Sequence, residues 1–267
     1  MGERRFGEHV IVRRPVGGQS IAELVLDRPT AMNALSTAMA GAISDACTEL
    51  STDRSVNVVL LSSTSTRAFC VGADLRERNA FTVQDLARQR LLMRAVYGGV
   101  LELPMPTIAA VHGYALGGGY ELALACDLIV ADTTAVVGLP EVSVGIVPGG
   151  GGTQLLPRRV GAARAAQLIF TGQRVPADEA LARGLVDVVV QKNEARARAL
   201  ELGATMAGHS PVALRAAKRA LREGQGVGLR VGLDLEDAAW RLVASSADRT
   251  EGIAAFNEKR APVWPGE

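Results

Sequence analysis

The apolar run Thr107–Val111 leads, through His112–Leu116, into three consecutive glycines, Gly117–Gly119, and then into Glu121. Backbone without Cβ atoms directly after a strand allows another backbone, or a ligand, to come close. A helix opening on Glu121 adds unpaired N–H donors and about half a positive charge at its start. Such a place can hold a developing negative charge. The segment Gly138-Leu139-Pro140-Glu141 repeats the theme of apolar run, Gly/Pro turn and glutamate. Alone, Glu121 reads as a favourable first-turn charge and Glu141 as a surface-loop carboxylate. Together, each on a turn after an apolar run, they point to acid–base chemistry.

The remaining pattern shows what carries these turns. His9–Arg13 and Ser20–Asp27 read as a strand hairpin through Pro15–Gly18, and Thr37–Leu50 as an amphipathic helix capped by Ser36. Val56–Leu61 reads as a buried strand, and residues 68–75 as a turn of small residues. Leu86, Met93, Val96 and Val100 mark a long helix that Pro104 and Pro106 end. Cys126–Ala131, Ala135–Gly138 and Leu185–Val190 read as strands. A second glycine-rich turn, Gly149–Gly152, opens a helix at Thr153, and Pro176 starts another that Gly184 ends. From Glu194 onward the pattern is helical, with Ser210-Pro211 as N-cap and first position, then helices over Val227–Ser245 and Asp248–Glu258. The reading is α/β: ββα units at Val10–Leu50, Val56–Leu103 and Thr107–Ala131, a core over residues 1–208, and a helical region over 209–267. Those last helices cannot bury their apolar positions alone, so oligomer contact is expected.

Composition removes several classes of function. Lys and Arg total 29 against 28 Asp and Glu, so no global field draws nucleic acid or an anionic membrane. The three cysteines, Cys47, Cys70 and Cys126, are an odd number at wide spacing, which fits a reducing compartment. His9, His112 and His209 are scattered, so no metal is expected. No apolar run reaches the roughly 18 residues of a membrane span, and residues 1–7 show no apolar leader. Cytoplasm is the expected compartment. Gly149–Gly152 lack a following Gly-Lys-Ser/Thr, so a P-loop is unsupported and a turn beneath the site is the better reading. His112 and Cys70 read as packed residues.

Four segments together resemble the crotonase (enoyl-CoA hydratase/isomerase) family: residues 26–35 from Leu26-Asp27-Arg28-Pro29 to Leu35, Ala68–Leu75, His112–Glu121 and Leu139–Gln154. The tail Glu251–Arg260 resembles the family's last helix. The resemblance spans essentially the whole chain. It implies a crotonase-like spiral of ββα units, a C-terminal helical trimerisation region with trimers or dimers of trimers, and an acyl-CoA thioester substrate of fatty-acid β-oxidation type. No separate cofactor is implied, because coenzyme A is part of the substrate. By motif position, the N–H groups of Ala73 and Gly118 form an oxyanion hole for the thioester enolate. Glu121 positions and deprotonates water, and Glu141 protonates Cα. Asp74 and Leu75 fall in the substrate-binding segment, while Arg28 and Lys259 are candidates for the CoA phosphates, Lys259 from a neighbouring subunit.

Retention of both glutamates favours reversible syn hydration of trans-2-enoyl-CoA to 3-hydroxyacyl-CoA. The rival within the fold is an isomerase or a specialised dehydratase on another acyl-CoA. The rival outside catalysis is an RNA-binding relative, which needs a basic helix face; Arg215, Lys218, Arg219 and Arg222 are the densest candidate, a stripe expected to face solvent. Arg78, Tyr120 and Val137 depart from the family pattern and bear on the acyl pocket.

Overall fold

The computed structural model describes residues 2–267. The strands are β1 Gly2–Phe6, β2 Val10–Arg14, β3 Ile21–Leu26, β4 Val58–Ser63, β5 Ala68–Cys70, β6 Thr107–Val111, β7 Tyr114–Leu116, β8 Leu128–Asp132, β9 Val136–Gly138, β10 Arg174–Pro176 and β11 Val188–Val190. The helices are α1 Thr37–Thr52, α2 Leu75–Arg78, α3 Val83–Leu101, α4 Gly118–Ala125, α5 Gly152–Val160, α6 Ala162–Thr171, α7 Ala177–Ala182, α8 Ala195–Ala207, α9 Pro211–Glu223, α10 Leu229–Ala244 and α11 Ala247–Glu258. Two sheets result, one in the order β1-β2-β3-β4-β6-β8-β11 and one in the order β10-β9-β7-β5.

The strand pairs β4–β5, β6–β7 and β8–β9 each send their first strand to the large sheet and their second to the small one. Between partners lie only short turns, and each pair is followed by helix, so the chain advances one strand per sheet per turn of a spiral. Neighbours β3–β4, β4–β6, β6–β8 and β8–β11 are parallel, as helical crossovers require.

The central strands β3, β4, β6 and β8 of the large sheet are buried on both faces, which explains why they read as continuous apolar runs. Val59 and Leu61 of β4, Ala109 and Val111 of β6, and Ile129 and Ala131 of β8 enter the main core with α1, α3 and α4. The alternate residues Val58, Leu60, Ile108, Ala110 and Val130 meet Ala195 and Ala199 of α8 on the other face.

Several expectations shift. The turn at residues 68–75 contains strand β5, and the approach to the glycines contains β7; three-residue strands carry too little periodicity to be read. The third ββα unit therefore closes at Ala125 with α4, and the strand placed at Cys126–Ala131 is β8, opening the next unit. Strand β1 and strand β10 were not expected from the pattern. The helix placed at Glu121 begins at Gly118, so Glu121 lies within its first turn.

The basic stripe on α9 does not face solvent as expected. Lys218 is buried, and its Nζ reaches Asp127 Oδ2 and the Met105 carbonyl, each at 2.8 Å. Arg222 grips Asp127 Oδ1 at 2.7 Å and the Ala125 carbonyl at 2.9 Å, and Arg215 donates to the Val56 carbonyl. Only Arg219 remains outward, paired along the helix with Glu223. The loop carboxylate Asp127 converts the stripe into a latch between α9 and the β6–β8 side of the core.

Candidate active site

Asp74 caps α2, accepting from the N–H groups of Arg76 and Glu77 at 3.0 and 3.2 Å, and thereby fixes the turn that carries Gly72 and Ala73. The Leu35 N–H donates to the Gly72 carbonyl and the Asp74 N–H to the Leu35 carbonyl, at 2.8 and 3.1 Å. Across from it, Gly117 adopts φ 52° and turns β7 directly into α4. The two bends touch: a Cβ on Gly72 would lie 2.9 Å from the Gly118 nitrogen and from the Leu116 carbonyl oxygen. Gly119 packs still more closely, where a Cβ would lie 2.0 Å from the Cys70 carbonyl oxygen. The triplet is thus used chiefly to bring the start of α4 against the β5 turn.

Gly72, Ala73, Gly117, Gly118, Glu121 and Glu141 line one cavity of about 800 Å³, with an apolar wall that includes Met93, Leu116 and Val147. Gly118 is the first residue of α4, where a helix has no internal acceptor for the N–H. Ala73 and Gly118 both line this cavity.

Glu121 and Glu141 reach this cavity from separate turns, and both are buried. Glu121 Oε1 accepts from the N–H groups of Gly150 and Gly152, each at 2.7 Å. That is the role of the second glycine-rich turn: it holds one carboxylate oxygen and leaves the other for the cavity. Burial pushes the Glu121 carboxyl above its ordinary range, with the N–H groups of Gly152, Gly150 and Gly149 and the charge of Arg90 pulling back. Glu141 follows Pro140 and opens a short 3-10 turn; its Oε1 lies 3.2 Å from where a Gly117 Cβ would be. Its Oε2 is buried without a hydrogen-bond partner. Burial, against the pull of its own N–H, raises the Glu141 carboxyl to about 7, and the negative charge of Glu121 adds to the rise. Two buried acids with raised carboxyls in one cavity are suited to proton transfer near neutral pH.

The other expected site residues are placed differently. Leu75 lines the cavity and is half exposed at 51%. Arg28 Nη1 donates to Asp74 Oδ2 at 2.7 Å and to the Ala34 carbonyl at 2.8 Å, so these two residues brace each other behind the Ala73 turn. Burial raises the Asp74 carboxyl, but Arg28 and the two cap N–H groups outweigh it and hold it low. Lys259 ends α11 with φ 55° and is exposed, outside the cavity lining. Cys70 is fully buried and donates to the Asn33 carbonyl, and burial pushes its thiol to about 12, so it is no nucleophile. Tyr120 is likewise core, donating to the Leu185 carbonyl at 2.9 Å.

Sequence reasoning missed Tyr97, Arg90 and the N–H donors of Gly150 and Gly152. Tyr97 lies in the cavity wall, buried, where a Cβ on Gly118 would come 2.3 Å from its hydroxyl. Its four-residue spacing from Met93 was the available signal. Arg90 donates to the Gly149 carbonyl, a contact no local pattern encodes. Among the described residues, no group of three or more His, Cys, Asp or Glu could hold a metal ion, and no helix is long and apolar enough to cross a membrane.

The family model described as enoyl-CoA hydratase/isomerase matches residues 17–267. A probable enoyl-CoA hydratase 2, mitochondrial, of Arabidopsis thaliana is 40% identical over 260 residues, covering 97% of this chain and 86% of that protein. The methylglutaconyl-CoA hydratase, mitochondrial, of Rattus norvegicus is 41% identical over 253 residues, covering 93% and 80%. The crystal structure of enoyl-CoA hydratase from Bacillus anthracis superposes with TM-score 0.94 at 38% identity, covering 97% of this chain and all of that one. With its paired sheets, its two glutamates and the touching bends of Gly72 and Gly118, the chain belongs to the enoyl-CoA hydratase/isomerase, or crotonase, family.

Proposed function

We propose that this enzyme catalyses the reversible syn addition of water to a trans-2-enoyl-CoA, giving a 3-hydroxyacyl-CoA. The observation that carries the reading is the pair of buried carboxylates, Glu121 and Glu141, lining one cavity beside the Ala73 and Gly118 turns. The thioester carbonyl accepts from the Ala73 and Gly118 N–H groups, which take up charge as the enolate forms. One such donor is worth on the order of 10²–10³ in rate. Glu121, pinned through Oε1, uses its other oxygen to take a proton from water as the water oxygen bonds to Cβ. Glu141 delivers a proton to Cα, and the proton gained by Glu121 returns the pair to its starting charge. The two acids titrate as a coupled pair that shares a proton, burial raising both carboxyls and Glu141 to about 7. Isomerisation of another acyl-CoA, or a specialised dehydration, is the second reading; it uses Glu141 and has less need of Glu121.

Glu121→Gln and Glu141→Gln should each lower kcat for hydration of crotonyl-CoA by at least about 10²-fold while CoA-ester binding persists. Product mass separates the readings, because hydration adds water and isomerisation adds nothing. Full hydratase activity in either variant would sink the assignment. An RNA-binding role finds no support on α9, whose Lys218 and Arg222 are spent on Asp127.

We further assign residues 209–267 to assembly of a homotrimer, or a dimer of trimers, and the cytoplasm as the compartment. Coenzyme A enters as part of the substrate, with Arg28 acting through Asp74 and Lys259 left for a phosphate at a subunit boundary.

A further inference from the structure

Arg78 stood out in the sequence as a charge where the family pattern turns apolar, and the structure sets it in the wall of the reaction cavity. Its Nε donates to Gln89 Oε1 at 2.7 Å, and Gln89 is buried and fixed in turn by Thr37 Oγ1 at 2.8 Å. A guanidinium held by Nε is aimed, and its two terminal nitrogens stay available. The neighbouring acid Glu77 is used elsewhere, accepting from the Thr37 N–H at 2.9 Å. Arg90, on the same wall, is tied through Nη1 to the Gly149 carbonyl, which again leaves donors unused. Among the described residues neither arginine has an acidic ion-pair partner, and the carboxylates of the cavity, Glu121 and Glu141, are those assigned to the chemistry.

Arg78 lies close enough to the Tyr97 phenol to act on it electrostatically, and that phenol borders Gly118. Arg90 likewise acts on Glu121. Arg90 holds the Gly149 carbonyl, one residue from the Gly150 N–H that grips Glu121, and both arginines line the cavity wall with the two glutamates. The phosphates of coenzyme A hang at the far end of the pantetheine arm and are poor candidates for them. An acyl group ending in an alkyl chain leaves two oriented guanidiniums without a partner.

We propose that the acyl end of the cavity is an anion subsite, in which Arg78, with Arg90 beside it, binds a carboxylate borne by the acyl group. The substrate class is then the CoA monothioester of a short unsaturated dicarboxylic acid. This rests on the hydratase reading, and it adds the charge of the tail. Guanidinium–carboxylate pairing is bidentate and directional, so it orients Cα and Cβ as well as binding.

The test compares crotonyl-CoA with trans-glutaconyl-CoA, which carries a carboxyl group on the terminal carbon. The intact protein should show kcat/KM at least tenfold higher for glutaconyl-CoA. Arg78→Leu should lower that ratio at least tenfold, and Arg78→Lys should restore part of it. Calorimetric binding of the non-reacting pair glutaryl-CoA and butyryl-CoA gives a readout free of turnover. Glutaryl-CoA should bind at least tenfold tighter to the intact protein, and the preference should shrink in Arg78→Leu. Equal use of the two enoyl esters together with equal binding of the two saturated esters overturns the subsite while leaving hydration standing. Tighter glutaryl-CoA binding without hydration of either enoyl ester supports the subsite and overturns the hydratase reading. An unchanged preference in Arg78→Leu removes the role of that residue.

Discussion

Glu141 keeps a proton in the folded protein at pH values where the unfolded chain has lost it. Its carboxyl rises from an ordinary 4.5 to about 7, because burial disfavours its charge and Glu121 adds like-charge repulsion. Between those two values the folded state binds more protons than the unfolded state, so stability falls as pH rises from about 4.5 to 7 and then levels. Glu121, shifted in the same direction, steepens the fall. Glu141→Gln removes the ionisation. Its stability relative to the natural protein should therefore improve by on the order of 1–2 kcal/mol between pH 5 and pH 8, once screening by cavity water is allowed for. Urea midpoints at the two pH values check this, and a pH-independent difference would contradict it. The same titration sets the alkaline limb of hydration, because Glu141 must be protonated to supply Cα. Both glutamates were legible from their Gly/Pro turns. The partners that tune them, Gly150, Gly152 and Tyr97, were not, since each arrives through a contact between distant segments.

At the scale of the element, α9 shows how one carboxylate redirects a helix face. Four basic residues at helical spacing looked like a solvated stripe; Asp127, on a loop about 90 residues earlier in the chain, draws Lys218 and Arg222 inward, and the Val56 carbonyl takes Arg215. Asp127 receives Lys218 and Arg222 and also the Thr107 N–H at 2.8 Å. Burial lowers the Lys218 ammonium, with Asp127 opposing that effect. Asp127→Ala leaves that buried ammonium unpaired and should destabilise the protein by about 3–5 kcal/mol. Asp127→Ala combined with Lys218→Met removes both charges and should recover much of the loss. Thermal denaturation of the two variants decides, and equal losses would mean that the pair is not the latch.

Over the whole molecule, the charge is balanced and the main core is closed, yet the last helices leave large apolar surface open. No residue of α10 is buried, and Leu229, Leu233, Trp240 and Leu242 are more than half exposed. Phe256 on α11 is 83% exposed. Patches of this kind belong to interfaces. The proposed trimer predicts a solution mass of three or six chains by light scattering. Leu233→Glu with Trp240→Glu should shift it to a single chain and lower the melting temperature. A natural protein that runs as a monomer would contradict the assembly.

The residues alone determined the class of fold, because short continuous apolar runs alternate with period-3.6 ones and then give way to helix. They also determined which turns can bring backbone close to a ligand, because glycine and proline act locally through φ and the missing Cβ. Strands of three residues, the partner of each buried charge and the side of α9 that meets the core were decided only in three dimensions. Those depend on which distant groups share a low-dielectric space, and sequence spacing carries no measure of that distance.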